Sequence, residues 1–149
     1  MNELEWRCAI VDEARTWLGT PYQHQASIKQ VGCDCLGLLR GVWRQLLGVE
    51  PEAMPAYGPR WNESSETDLL VAMAERNFTA IAADIELNLG DILLFKYRLD
   101  LPTRHLAIVT SDAKFIHAYV GRGVVENSFS PWWMRHLSHR YRWQNKNLK

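Results

Sequence analysis

The chain has 149 residues, 47% of them hydrophobic, enough for one core and too few for two comfortable ones, so residues 1–149 are expected to form one domain. Lys plus Arg equal Asp plus Glu at 17 each, which leaves no excess positive charge of the kind that nucleic-acid binders use against phosphates. Three cysteines, an odd count with two of them only two positions apart, exclude the even framework of a small disulfide-stapled secreted domain and point to reduced thiols.

In the first segment Trp6, Ala9, Ile10, Ala14 and Trp17 recur at three- and four-residue steps, which predicts a helix from about Glu3 to Leu18, stopped by Gly19 and Pro21. Acidic residues and helical spacing stand where a signal peptide would have a basic region and then an apolar run. No stretch reaches the roughly 20 apolar residues that a membrane span needs. The expectation is synthesis and retention in the cytoplasm unless something other than a signal peptide carries the chain out.

The next stretch, "GTPYQHQASIKQVG", reads as an irregular loop leading into "GCDCLG". Asp34 is placed to cap a second helix, in which Leu38, Leu39, Val42, Trp43, Leu46 and Leu47 repeat at helical spacing until Gly48. The proline-rich "VEPEAMPAYGPRWNESS" reads as a surface connection able to line a cleft. Ser65, with Asp68 three residues on, signals the start of a short helix.

From Ile81 the pattern changes to "GDILLF", "HLAIVT", "KFIHAY" and "GVVENSF", short β-branched and aromatic runs separated by turn residues. Helices first and strands second favour an α+β domain with an antiparallel sheet. The locally basic "RHLSHRYRWQNKNLK" reads as a solvated tail or an edge strand, and Trp132 and Trp133 as either a cap on the sheet's core or a docking patch.

A thiol in the first turn of a helix meets unpaired N–H groups and the positive end of the helix dipole, which favour the thiolate. Cys35 occupies that position, and Cys33 lies in the loop before it. The bland alternative makes Cys35 a small buried hydrophobe. A nucleophilic thiol also needs a base held by a third polar group, and its partners are remote in sequence. His105 opens one predicted strand at a cleft-facing end, and His117, between Ile116 and Ala118, points to the face opposite those two residues. A zinc site from Cys33, Cys35, His105 and His117 is a second alternative, although the paired cysteines lack the usual metal-ligand spacing.

Taken in order, "GTPY", "GCDCLGLL", "LGDILLF", "RHLAIVT" and "KFIHAY" resemble the NlpC-type cell-wall peptidases, a bacterial and phage branch of the papain-like cysteine peptidases. The likeness runs from about Gly19 to Ala118. It implies a papain-like α+β fold, with N-terminal helices packed on a C-terminal antiparallel β-sheet. It also implies Cys35 as nucleophile, His105 as general base and then acid, His117 as the residue that fixes the imidazole, and Tyr22 with Asp34 at the oxyanion and substrate side. The reaction implied is cleavage of a peptidoglycan stem peptide, usually at the γ-D-glutamyl to diamino-acid bond, with no metal and no cofactor.

Two departures stand out: "QHQASIKQVG" replaces a Trp-Gly-Gly-like segment, and Leu36 stands where serine is common after the nucleophile. The wording "GCDCLGLLRGVWR" resembles most the phage-tail and gene-transfer-particle members. That implies tail or baseplate proteins as partners, incorporation in a phage-like particle, and action at the periplasmic cell wall. A tail module that keeps the fold with vestigial activity, and an amidase or acyltransferase using the same thiol and imidazole, are the neighbouring readings.

Overall fold

In the computed structural model of the chain, residues 1–52 and 68–144 are described. The expected cap at Ser65 and most of the proline-rich connection lie outside them. Helix α1 (Glu3–Arg15) is capped by Asn2, whose side chain accepts from the Glu5 N–H at 2.8 Å, with Glu3 and Glu5 in the first turn. It ends three residues before the predicted Leu18. There the N–H groups of Trp17, Leu18 and Thr20 turn to carbonyls three residues back, and Gly19 takes φ +87°.

The loop read as irregular holds a small hairpin of β1 (Ser27–Ile28) and β2 (Gly32–Cys33). Helix α2 (Cys35–Leu47) follows with Asp34 as N-cap and Gly48 as C-cap, as the spacing predicts. Helix α3 (Leu69–Asn77) is capped by Asp68. It runs directly into β3 (Phe78–Ala80), a strand that no turn residue announces.

Strands β4 (Ile92–Phe95), β5 (His105–Val109), β6 (Lys114–Tyr119) and β7 (Gly123–Ser128) coincide with the four predicted runs. Helix α4 (Pro131–His136) and β8 (Leu137–Trp143) complete the chain. The sheet has the order β3-β8-β4-β5-β6-β7, with every pair antiparallel. The fold is therefore the expected α+β one, helices against an antiparallel sheet.

β8 corrects the reading of the C-terminal stretch as a tail or edge, because it lies inside the sheet between β3 and β4. Two features disguise it. A bulge opposite Leu94 and Phe95 breaks the alternation, so Leu137 packs on one face while Tyr141 and Trp143 pack on the other. Its basic residues, moreover, are bound: Arg140 donates to the carbonyls of Ala82 and Ala83, and Arg142 to the carboxylate of Asp91.

Two apolar layers sandwich the sheet. Residues of α1, α2 and α3 meet Ile92, Leu94, Leu106, Ile108, Ile116 and Ala118 on one face, with Trp6, Trp43, Phe78 and Trp143 in mutual ring contact. The other face carries Leu93, Phe95, Ala107, Val109 and Phe115 under Phe129 and Trp133. Trp133 thus caps the sheet, whereas Trp132 is 41% exposed and stacks on His136. Asp91, fully buried, fastens the two ends of the chain, accepting from Arg7 at 3.2 Å, Arg142 at 3.0 Å and the Asn88 N–H at 2.7 Å.

Candidate active site

Cys35 is the first residue of α2, and the geometry of that helix start is set by its neighbours. Asp34 accepts from the Gly37 N–H at 2.7 Å and the Gln25 N–H at 2.8 Å, tying the helix to the preceding loop. A Cβ on Gly37 would lie 1.9 Å from the carbonyl oxygen of Ala26, so only glycine lets helix and loop approach this closely. Tyr22 runs alongside, bridged to Cys33 in parallel fashion and bracketed by bonds from Cys33 N–H to the Pro21 carbonyl and from Gln23 N–H to the Cys33 carbonyl.

β5 delivers His105 from the opposite side. The residue two before it, Thr103, donates through its N–H at 2.7 Å and its hydroxyl at 2.5 Å to Asp68, the cap of α3. His105 and Cys35 both line one cleft of ≈ 480 Å³, together with Tyr22, His24, Asp34, Tyr97, Arg104 and Tyr119. All the predicted site residues but one therefore share one cavity. The exception, His117, stands behind His105: His105 Nε2 and His117 Nδ1 are 2.6 Å apart, and His117 Nε2 is 2.5 Å from Asn127 Oδ1.

As strand alternation predicts, His117 faces away from Ile116 and Ala118. Both imidazoles lie among aromatic rings, with Trp133 5.6 Å from His105 and 5.2 Å from His117, centroid to centroid. Asn127 had no signal in sequence beyond membership of a strand; it comes into reach because β7 pairs with β6 so that Asn127 opposes Phe115, diagonal to His117. Among the described residues no cluster of His, Cys, Asp and Glu could hold a metal, and the two histidines spend three of their four ring nitrogens on the chain of hydrogen bonds.

The electrostatics modify the expectation of a helix-stabilised thiolate. Burial first, and the Asp34 carboxylate second, push the Cys35 thiol up to about 12, against backbone hydrogen bonds from Leu106 and Leu36 that pull it down. Burial, then the neighbouring His117, holds His105 well below the ordinary imidazole range. Burial likewise lowers His117 to about 4, with the bond to Asn127 opposing. These directions favour a thiol and neutral imidazoles over an ion pair. Tyr22, raised to about 12 by burial and by Cys35 and Asp34, keeps its hydroxyl proton at neutral pH.

Residues 19–144 match the NlpC/P60 family. The chain belongs to it. That membership carries with it the class of cell-wall cysteine peptidases, and the whole cleft falls within the matched segment. Among solved structures, the NlpC/P60 domain of the peptidoglycan hydrolase SagA is similar at 25% identity and a TM-score of 0.65, covering 91% of this chain and 97% of that one. An NLP/P60 lipoprotein-like protein of Staphylococcus aureus is similar at 23% identity and TM-score 0.65, and an NlpC/P60 family protein of Bacillus cereus at 18% and 0.67. Those two alignments cover 98% and 92% of this chain but only 43% and 40% of the longer proteins, and they bear on the fold alone. No curated protein matches the chain.

Proposed function

We propose that this chain is a peptidoglycan-degrading cysteine endopeptidase that cuts an amide bond of the stem peptide, at the γ-D-glutamyl to diamino-acid position. The observation that carries this reading is a single cleft lined by a helix-initial thiol and an imidazole that a second imidazole backs. The similarity to a peptidoglycan hydrolase domain supports the substrate class. Arg104 in the cleft lining suits a substrate that carries carboxylates, as stem peptides do.

In the mechanism that follows, Cys35 Sγ attacks the amide carbonyl carbon as its proton passes to His105. General-base assistance is needed because the resting sulfur is a thiol. The oxyanion is met by the Cys35 backbone N–H and the Tyr22 hydroxyl, a protonated donor at working pH. Asp34 contributes by holding the helix start, since a carboxylate beside an oxyanion would oppose it. His105 then protonates the leaving amine, the C–N bond breaks, and water activated by the same imidazole hydrolyses the thioester. His117 keeps the His105 ring oriented.

The wording around Cys35 that resembles phage-tail members supports delivery by a phage-like particle, with tail or baseplate proteins as partners and the periplasmic wall as target. Co-sedimentation of the protein with such particles is the expected result; recovery only as free protein would count against delivery. For the chemistry, purified muropeptides are digested and the products weighed. Wild type should release fragments that Cys35→Ala and His105→Ala do not, with masses that name the bond. Identical profiles for wild type and Cys35→Ala would sink the peptidase reading.

A further inference from the structure

We propose that Asn127 is a positioning residue that sets the direction of the proton chain behind Cys35, fixing the tautomers of both histidines so that His105 offers a bare nitrogen to the cleft.

The atom of Asn127 that meets His117 Nε2, at 2.5 Å, is Oδ1, and a carbonyl oxygen can only accept. With the amide in this orientation, His117 Nε2 carries the hydrogen. A neutral imidazole has one N–H, so His117 Nδ1 is left as an acceptor. His105 Nε2 lies 2.6 Å from that acceptor and must in turn be the donor. The one ring nitrogen of His105 not engaged in this chain, Nδ1, is then unprotonated, which is the form a general base requires.

Reversing one group reverses all of them. If the Asn127 amide offered its NH₂ to His117 instead, His117 Nδ1 would bear the hydrogen and donate to His105 Nε2. Nδ1 of His105 would then be protonated, and no base would face the thiol. His117 is buried against Phe115 and Trp133, so its outer nitrogen meets Asn127 rather than bulk water, and the orientation of that amide is coupled to the tautomers of both rings. Asn127 sits on β7, at one edge of the sheet, and belongs to neither apolar layer. It acts through His117 and touches no reacting atom.

This inference concerns the same site as the proposed activity and rests on that reading, but its direct test needs no substrate. In ¹⁵N-labelled full-length protein at neutral pH, long-range ¹H–¹⁵N correlation spectra distinguish protonated from bare ring nitrogens. The expected pattern is protonated Nε2 and bare Nδ1 on both His105 and His117. A protonated Nδ1 on His117 in the wild type overturns the inference. Asn127→Leu, which removes the acceptor, should lose the single-tautomer pattern and lower muropeptide turnover about 10- to 100-fold, the usual range for removing such an outer partner. Asn127→Asp, an acceptor in either orientation, should restore the pattern and most of the turnover.

If Asn127→Leu keeps both the wild-type spectrum and the wild-type turnover, the assignment is wrong. Should that variant fail to fold, the wild-type spectrum decides alone. A wild type with the expected tautomers that cleaves no muropeptide would overturn the proposed activity and leave the assignment of Asn127 standing. Cleavage by a wild type with the opposite tautomers would do the reverse.

Discussion

His105 Nε2 and His117 Nδ1 approach to 2.6 Å inside an aromatic enclosure, so at most one hydrogen lies between them and neither ring takes a second proton readily. Both folded-state pKa values are depressed below the ordinary imidazole value of 6.5, to about 4 for His117. The unfolded chain therefore binds more protons than the native one below pH 6.5. The contribution is fully present above 6.5 and is lost as pH falls toward 4. Urea unfolding should show stability dropping on the order of 3 kcal/mol across that window from His117, at about 1.4 kcal/mol per unit. The carboxylates with lowered values, Glu50, Glu52 and Glu126, act below 4.5, so a flat profile from pH 6.5 to 4.5 would contradict the account.

Cys35 is expected to react sluggishly with iodoacetamide at neutral pH, slower than an unperturbed thiol, with a rate that climbs through the alkaline range. Burial and the Asp34 carboxylate disfavour its thiolate. Asp34→Asn keeps a good helix cap while removing the charge, so alkylation of Cys35 should accelerate near pH 8. Peptide mapping by mass spectrometry resolves Cys35 from Cys8 and Cys33. Fast neutral-pH labelling of wild-type Cys35, unchanged in Asp34→Asn, would contradict this picture.

Gly37→Ala should be among the most damaging single-methyl additions in the chain. The new Cβ would meet the backbone oxygen of Ala26 at 1.9 Å, and a main-chain atom cannot swing aside as a side chain can. Separation of helix and loop also breaks the Asp34 bond to the Gln25 N–H. We expect a loss of at least about 2 kcal/mol, seen as a lower melting temperature, with activity falling in the molecules that stay folded.

Asp91→Ala leaves Arg7 and Arg142 facing a buried void. Removing one partner of such a buried cluster costs about 3–5 kcal/mol. Chemical denaturation should register that loss. Because Asp91 does not line the cleft, the kcat of the folded fraction should change little.

Much of this was legible from residue order, and the gaps have physical causes. The spacing of Leu38, Leu39 and Val42 announces α2 because one helical face is buried, and strand alternation puts His117 opposite Ile116 because successive side chains of β6 point to opposite faces, both of them buried. β8 escapes that logic because a bulge near its start shifts the period and its arginines are bound by carbonyls and by Asp91 that lie far away in sequence. Asn127 is invisible for a related reason: an asparagine in a strand has no pattern of its own, and only the register with β6 brings it to His117. For Cys35 the helix start argues for the thiolate, and the burial that opposes it is a tertiary property that residue order does not display.

The interior position of β8 has a kinetic consequence. Strands β4 to β7 are joined to successive neighbours and can assemble by short hairpin closures, bringing the two histidine-bearing strands together early. Among the described residues β3 pairs with β8 alone, and β8 must wedge in against β4 from far along the chain. Closure entropy of that kind is spent before the contacts repay it, which slows folding. Refolding measured by tryptophan fluorescence, with Trp143 packed on Trp6 and Trp43, will therefore report the insertion of β8 as its slow step.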